Sequence, residues 1–228
     1  MLVADGAPPP PPPQATRLFG ERMARAERYV ALLAGSGVER GVVGPRETVR
    51  LWERHMLNCA VIGDLIPGNC RVLDVGTGAG LPGIPLVLAR PDLTVVLLEP
   101  MARRVAWLEE VIADLDLPVA VHRGRAEQHE GIGQDWDVVA ARAVAPLGRL
   151  AAWCLPLTRP GGLLLALKGA SASEEAARDG GRIRRAGGDL QIVECGAGLV
   201  ETPTTVVMVT RRRVDKASAA RTRKDRRA

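Results

Sequence analysis

The run Val72-Leu73-Asp74-Val75-Gly76-Thr77-Gly78-Ala79-Gly80-Leu81-Pro82-Gly83 constrains this chain more than any other stretch. A short apolar strand passes into a loop with glycine at alternate positions, and Pro82 stands where the first turn of a helix accepts proline. Glycine lets the backbone come close to a ligand at a strand-to-helix turn. The run therefore predicts an α/β sheet whose first strand ends in a ligand loop, with Gly76, Gly78 and Gly80 as its contacts. A GxGxxG match at Gly78, Gly80 and Gly83 raises a dinucleotide fold, but alone it is a weak sign.

The carboxylates beside the loop separate the candidate cofactors. Asp74 ends the first strand, two residues before Gly76. A carboxylate there repels a pyrophosphate and suits the ammonium and sulfonium of S-adenosyl-L-methionine. Glu99, 25 residues after Asp74, ends the second strand, where it can accept both ribose hydroxyls of a nucleoside. NAD carries the same ribose, so Glu99 does not discriminate and Asp74 does. S-adenosyl-L-methionine is the expected cofactor, and an NAD-dependent oxidoreductase is the alternative of another class.

Around this loop the pattern alternates. Strands are expected at Arg71–Val75, Thr94–Glu99, Val119–His122, Trp136–Ala141, Gly162–Lys168, Leu190–Glu194 and Thr204–Thr210. Helices are expected at Pro82–Ala89, Ala102–Leu115, Arg149–Leu157 and Glu174–Arg185, and the last two strands are joined by a loop alone. That order predicts a Rossmann-like α/β fold, a mostly parallel seven-stranded sheet with one antiparallel strand, covered by helices. Upstream, apolar spacing predicts helices from Thr16 to about Gly35 and from Arg46 to Leu65. The chain divides into a disordered Pro-rich leader (1–15), a helical N-terminal extension (16–67), an α/β domain (68–210) and a basic disordered tail (211–228).

Composition narrows the function classes. With 228 residues, 46% hydrophobic and 25% charged, the chain can bury a sizeable core. No apolar run reaches the roughly 18 residues of a membrane span, and the N-terminus lacks signal-peptide features, so a cytoplasmic location is expected. The four cysteines form no CxxC pair and only three histidines are present, which argues against a metal site or a disulfide framework. The net charge of +5 is unevenly placed: nine basic and two acidic residues make Arg211–Ala228 +7, leaving −2 for the rest. A basic tail suits nucleic acid.

The run Asp74–Pro85 resembles the cofactor loop of the bacterial ribosomal RNA small subunit methyltransferase G family, also called glucose-inhibited division protein B. The resemblance extends to Trp52–Leu57, Arg103–Leu108, Arg125-Ala126-Glu127, Ala141-Arg142-Ala143 and Ala166–Gly169, and spans residues 46–210. It implies a class I methyltransferase fold with a helical N-terminal extension, and methylation of guanine N7 in small-subunit (16S) ribosomal RNA near the decoding centre. Carried onto matching positions, it implies cofactor contacts from Gly76, Leu81, Ala126, Glu127 and Arg142.

Guanine N7 already presents a free lone pair, so no general base is expected and catalysis rests on alignment and electrostatics. Arg142, ending the fourth strand, is the expected positioning residue. Arg54 and His55 on the second helix, Arg123 after the third strand and Lys168 at the end of the fifth are candidate RNA contacts. Trp107, Trp136 and Trp153 are expected in the core. The expected partner is small-subunit ribosomal RNA or the subunit itself, with no membrane and no metal, the enzyme acting as a monomer. Alternatives are a class I methyltransferase for another RNA or a small molecule, and a nucleotide-binding RNA chaperone suggested by the tail.

Overall fold

The computed structural model describes residues 8–128 and 131–213. Residues 1–7 of the leader and 214–228 of the tail lie outside the described residues. Helix α1 (Pro13–Phe19) starts inside the proline run, earlier than the apolar spacing predicts. Proline opens a helix without losing a needed N–H, and Ala15 and Phe19, one turn apart, are both buried. A 3-10 turn leads into α2 (Met23–Leu32), which ends in a π turn over Leu33–Gly37.

The second upstream helix follows one path but changes its hydrogen bonding along the way. It is 3-10 over Pro45–Arg50, π over Leu51–Leu57, α over Asn58–Ala60 (α3) and 3-10 over Val61–Leu65. Within the π segment Leu51, Trp52, His55, Met56 and Leu57 are all buried. That set covers more of the circumference than the stripe of a surface α-helix, and wide turns of this kind recur at functional sites.

Among the described residues seven strands follow: β1 (Arg71–Val75), β2 (Thr94–Glu99), β3 (Ala120–Arg123), β4 (Trp136–Arg142), β5 (Thr158–Leu167), β6 (Gly188–Cys195) and β7 (Thr204–Arg211). Four helices connect them: α4 (Gly83–Ala89), α5 (Ala102–Asp114), α6 (Leu147–Cys154) and α7 (Ala172–Arg185). The strand order is β3-β2-β1-β4-β5-β7-β6. β1 to β5 pair in parallel, and β7 runs antiparallel to both β5 and β6. The expected mostly parallel sheet with one antiparallel strand is present.

The sheet carries a core on each face. One face packs α4, α5 and the N-terminal helices in a continuous cluster that includes Phe19, Tyr29, Trp52, Leu97 and Trp107. The other packs α6 and α7 through Leu150, Cys154 and Ile183. The N-terminal extension therefore shares a core with the sheet: the Trp107 Nε1–H donates to Ser36 Oγ at 3.0 Å. From β1 the chain moves outward to β2 and β3, and from β4 outward the other way. The crevice between the C-terminal ends of β1 and β4 is where open α/β sheets bind ligands. Asp74 lies beside Leu97 and Ala140, and Val75 beside Leu98 and Ala141, so these ends share one rim.

Candidate functional site

The glycine loop wraps round Asp74. That side chain is 0% exposed; its Oδ2 accepts the Thr77 hydroxyl at 2.5 Å and the Gly83 N–H at 2.8 Å. Its Oδ1 is buried with no partner among the described residues. Burial, against the two hydrogen bonds, raises the carboxyl to about 7. Gly76, Gly78 and Gly80 all have positive φ, and at Gly76 a Cβ would lie 2.8 Å from Val144 Cγ2. Glycine is required there both by the turn and by the approach of the loop after β4. The Tyr29 hydroxyl of α2 donates to the Ala79 carbonyl, tying the extension to the loop.

Glu99, 1% exposed, closes the other side. Its Oε2 accepts the Gly78 N–H and its Oε1 the Met101 N–H, each at 3.0 Å. Beside it opens a cavity of about 300 Å³ lined by Gly76, Glu99, Met101, Arg104, Ala126 and Glu127, among others. Gly76, Glu99, Ala126 and Glu127 thus line one cavity, whereas Asp74, Gly78, Gly80 and Leu81 belong to the strand end and loop beside Gly76 and do not line it. The donor set fits a cationic nucleoside. Two glutamates face the cavity, Asp74 keeps a spare buried acceptor, and the Nε of Arg104 is a buried donor without a partner among the described residues.

Arg142 belongs to a second cavity, of about 660 Å³, lined also by Arg54, Asn58, Ala143, Lys168, Glu175 and Thr202. Ala143 lines both cavities and holds a left-handed backbone, φ +54°. Arg142 does not reach Asp74. Its Nη1 donates to Cys59 Sγ at 3.2 Å and its Nη2 to His55 Nδ1 at 2.6 Å. A guanidinium has donors only, so Nδ1 is the acceptor and the ring proton sits on Nε2. That Nε2–H donates to Glu47 Oε2 at 2.8 Å. Burial, and then the Arg142 charge, lower the His55 imidazole to about 4, keeping it neutral. Burial raises the Cys59 thiol.

Lys168 is mostly enclosed. Its Nζ donates to the Ala145 carbonyl at 2.8 Å and to Glu175 Oε2 at 2.9 Å. Glu175 Oε2 also accepts the Leu147 N–H at 2.7 Å, and its Oε1 the Ser171 hydroxyl at 2.9 Å. The pair thus clamps the segment Ala143–Pro146 between the two cavities. Arg54 is exposed at the rim, 3.4 Å from Glu47. Arg123 ends β3 beside Glu99 in register, exposed and outside both cavities.

A family model described as rRNA small subunit methyltransferase G matches residues 22–200. The chain is 53% identical over 215 residues to the ribosomal RNA small subunit methyltransferase G of Salinispora tropica, covering 91% of this chain and 89% of that one. It is 55% identical over 211 residues to that of Rhodococcus jostii, covering 90% and 93%. The chain belongs to the rRNA small subunit methyltransferase G family. It is accordingly an S-adenosylmethionine-dependent methyltransferase. Among solved structures, a methyltransferase from Pyrococcus furiosus matches with TM-score 0.56 at 13% identity, over 86% of this chain and 100% of that one. A SAM dependent methyltransferase from Aquifex aeolicus matches with TM-score 0.54 at 18% identity, over 77% and 97%. These likenesses concern the fold, which is that of class I methyltransferases.

Sequence reasoning assigns only part of the first cavity's lining. Met101, Val144 and Trp153 line the first cavity. Trp153 is half-buried there rather than in the core, with the Arg149 guanidinium 6.0 Å from its ring centroid. A signal existed: Leu147, Leu150, Ala151 and Cys154 make the buried stripe of α6, and Trp153 falls beside it. Trp107 and Trp136 are buried as expected. Among the described residues no helix is long and apolar enough to cross a membrane.

Proposed function

We propose that this chain methylates N7 of a guanine in small-subunit (16S) ribosomal RNA, near the decoding centre, with the cofactor in the first cavity and the base in the second. The observation that carries the reading is the junction of the two cavities at Ala143, in a chain of this family. Bound S-adenosylmethionine supplies an electrophilic methyl group on a sulfonium. Glu99 accepts from the ribose hydroxyls, using the lone pairs left free by Gly78 and Met101. Asp74 offers its spare buried acceptor, Oδ1, at the glycine loop, Leu81 belongs to that loop, and Ala126 and Glu127 line the pocket.

The second cavity suits a nucleophile that has no proton to lose. Its one carboxylate, Glu175, is committed to Lys168, Leu147 and Ser171 and is a poor base. Catalysis then rests on orientation. The Glu47–His55–Arg142 chain fixes the guanidinium as a positioning group for the base. Lys168 acts through the Ala143–Pro146 segment, while Arg54 at the rim, and Arg123 farther out, meet RNA phosphates. A single copy of the chain supplies both cavities, in keeping with a monomer working in the cytoplasm.

The test uses small subunits from cells lacking this gene. Incubation with radiolabelled S-adenosylmethionine should place label on one 16S guanine, and chemical cleavage specific for N7-methylguanine should map it. Label in another RNA, or on another atom, overturns the reading.

A further inference from the structure

A third cavity, of about 750 Å³, adjoins the one assigned to the target guanine. The two share Arg54, Asn58 and Thr202 as a common rim. Its walls come from three distant segments: Pro12 and Gln14 before and within α1, Arg50 to Asn58, and the β6–β7 loop from Gly198 to Thr202. Its chemistry is mixed. Leu57, Leu199 and Val200 give apolar surface, Gln14 and Asn58 give amides, and Arg50 and Arg54 are balanced by Glu53 and Glu201. A phosphate track would be one-sidedly basic. Amide, guanidinium and carboxylate groups above an apolar floor suit the hydrogen-bonding edge of an unstacked base instead.

Gln14 carries the second observation. Its Oε1 is buried and has no hydrogen-bond partner among the described residues. An acceptor left in that state costs stability. Rotation of the amide toward a donor on a base removes the cost.

On the opposite side, the target cavity runs into a smaller one through Ala143, Lys168, Ser171 and Glu175. That side adds Glu174 and an Arg178 already paired with Asp179 at 3.0 Å, so a strand leaving the target cavity meets a less hospitable wall there.

We infer that the cavity between α1, the Arg50–Asn58 helix and the β6–β7 loop holds a second, unstacked nucleobase of the same RNA strand, adjacent to the methylated guanine. The inference rests on the proposed placement of that guanine beside Arg142. It makes the N-terminal helix and the β6–β7 loop a sequence-reading element of the enzyme.

The test uses the full chain and small subunits from cells lacking this gene. Gln14→Leu should melt at the same or a higher temperature than the parent, because an unpaired buried acceptor is removed. Its kcat/KM for the subunits should nevertheless fall about tenfold, with S-adenosylmethionine affinity unchanged. Arg50→Ala, at an exposed position, should likewise lower kcat/KM with S-adenosylmethionine affinity unchanged. A photo-crosslinking amino acid in place of Glu201 should join to RNA within a few nucleotides of the modified guanine. Undiminished kcat/KM in both variants overturns the inference, as does a crosslink to a ribosomal protein or to distant RNA. If the parent labels no 16S guanine, the failure lies instead with the proposed function.

Discussion

Asp74 is raised to about 7 from an ordinary 3.8 by burial. The folded state therefore favours its protonated form; the stability this confers is complete below pH 3.8 and lost as the pH climbs to about 7. Asp74→Asn keeps an oxygen for Thr77 and Gly83 but does not titrate. Its melting temperature relative to the parent should therefore rise between pH 5 and pH 8 without cofactor, and a constant difference would show that the carboxyl ionises normally. Glu99 behaves differently because it also serves the backbone. Glu99→Ala strips the Gly78 and Met101 N–H groups of their acceptor, costing about 1–3 kcal/mol of stability. It should also weaken S-adenosylmethionine by about 1.5–3 kcal/mol, read by calorimetric titration beside a thermal melt; unchanged affinity would falsify the ribose assignment. Both carboxylates were legible because strand ends and loop glycines are local in the chain. The partners of Arg142 were not: His55 and Cys59 lie more than 80 positions away, and no local pattern encodes such a meeting.

The N-terminal helices read from the sequence as an extension before the α/β domain, and they reach its glycine loop. Tyr29→Phe removes the hydroxyl that meets the Ala79 carbonyl. It should cost about 0.5–1.5 kcal/mol and speed amide exchange at Gly80 and Leu81, which hydrogen–deuterium exchange can resolve. The Lys168–Glu175 pair, joining the end of β5 to α7, holds the segment that begins at Ala143, the one residue lining both cavities. Glu175→Gln should lower kcat/KM by about 10- to 100-fold at temperatures well below unfolding, since small displacements of a positioning segment cost that much. Full activity would reduce the pair to a structural tie. The strand and helix rhythm was legible throughout, because apolar period separates the two states. Ends were less so. β5 starts at Thr158 rather than Gly162, because the Arg159 Nε–H reaches Asp137 Oδ1 at 2.5 Å and the pairing with β4 shifts register to admit Pro160.

Taken whole, the sheet runs further into the basic segment than the charge pattern implies. Arg211 closes β7 and donates to the carbonyls of Pro156 and Thr158, so it belongs to the sheet rather than to the basic tail. A cut after Arg213 keeps every strand and helix of the described residues while removing six basic and two acidic residues. The shortened protein should bind RNA more weakly at low salt, with a log–log salt slope flatter by up to about 4, at about 0.7 per phosphate. Filter binding across a salt series would expose superimposable curves if the tail only aids solubility. The order of the strands has a consequence for how such a chain is made. Among the described residues β7 is the last strand to be synthesised, yet it is seated between β5 and β6. Until it arrives, the apolar run Leu163–Leu167 has an open edge and β6 has no neighbour to hold it, a state that invites pairing with other chains. Trimming this protein from its C-terminus past Arg211 does not shorten the sheet from outside. It opens a slot within it, leaving β5 and β6 without the strand that joins them.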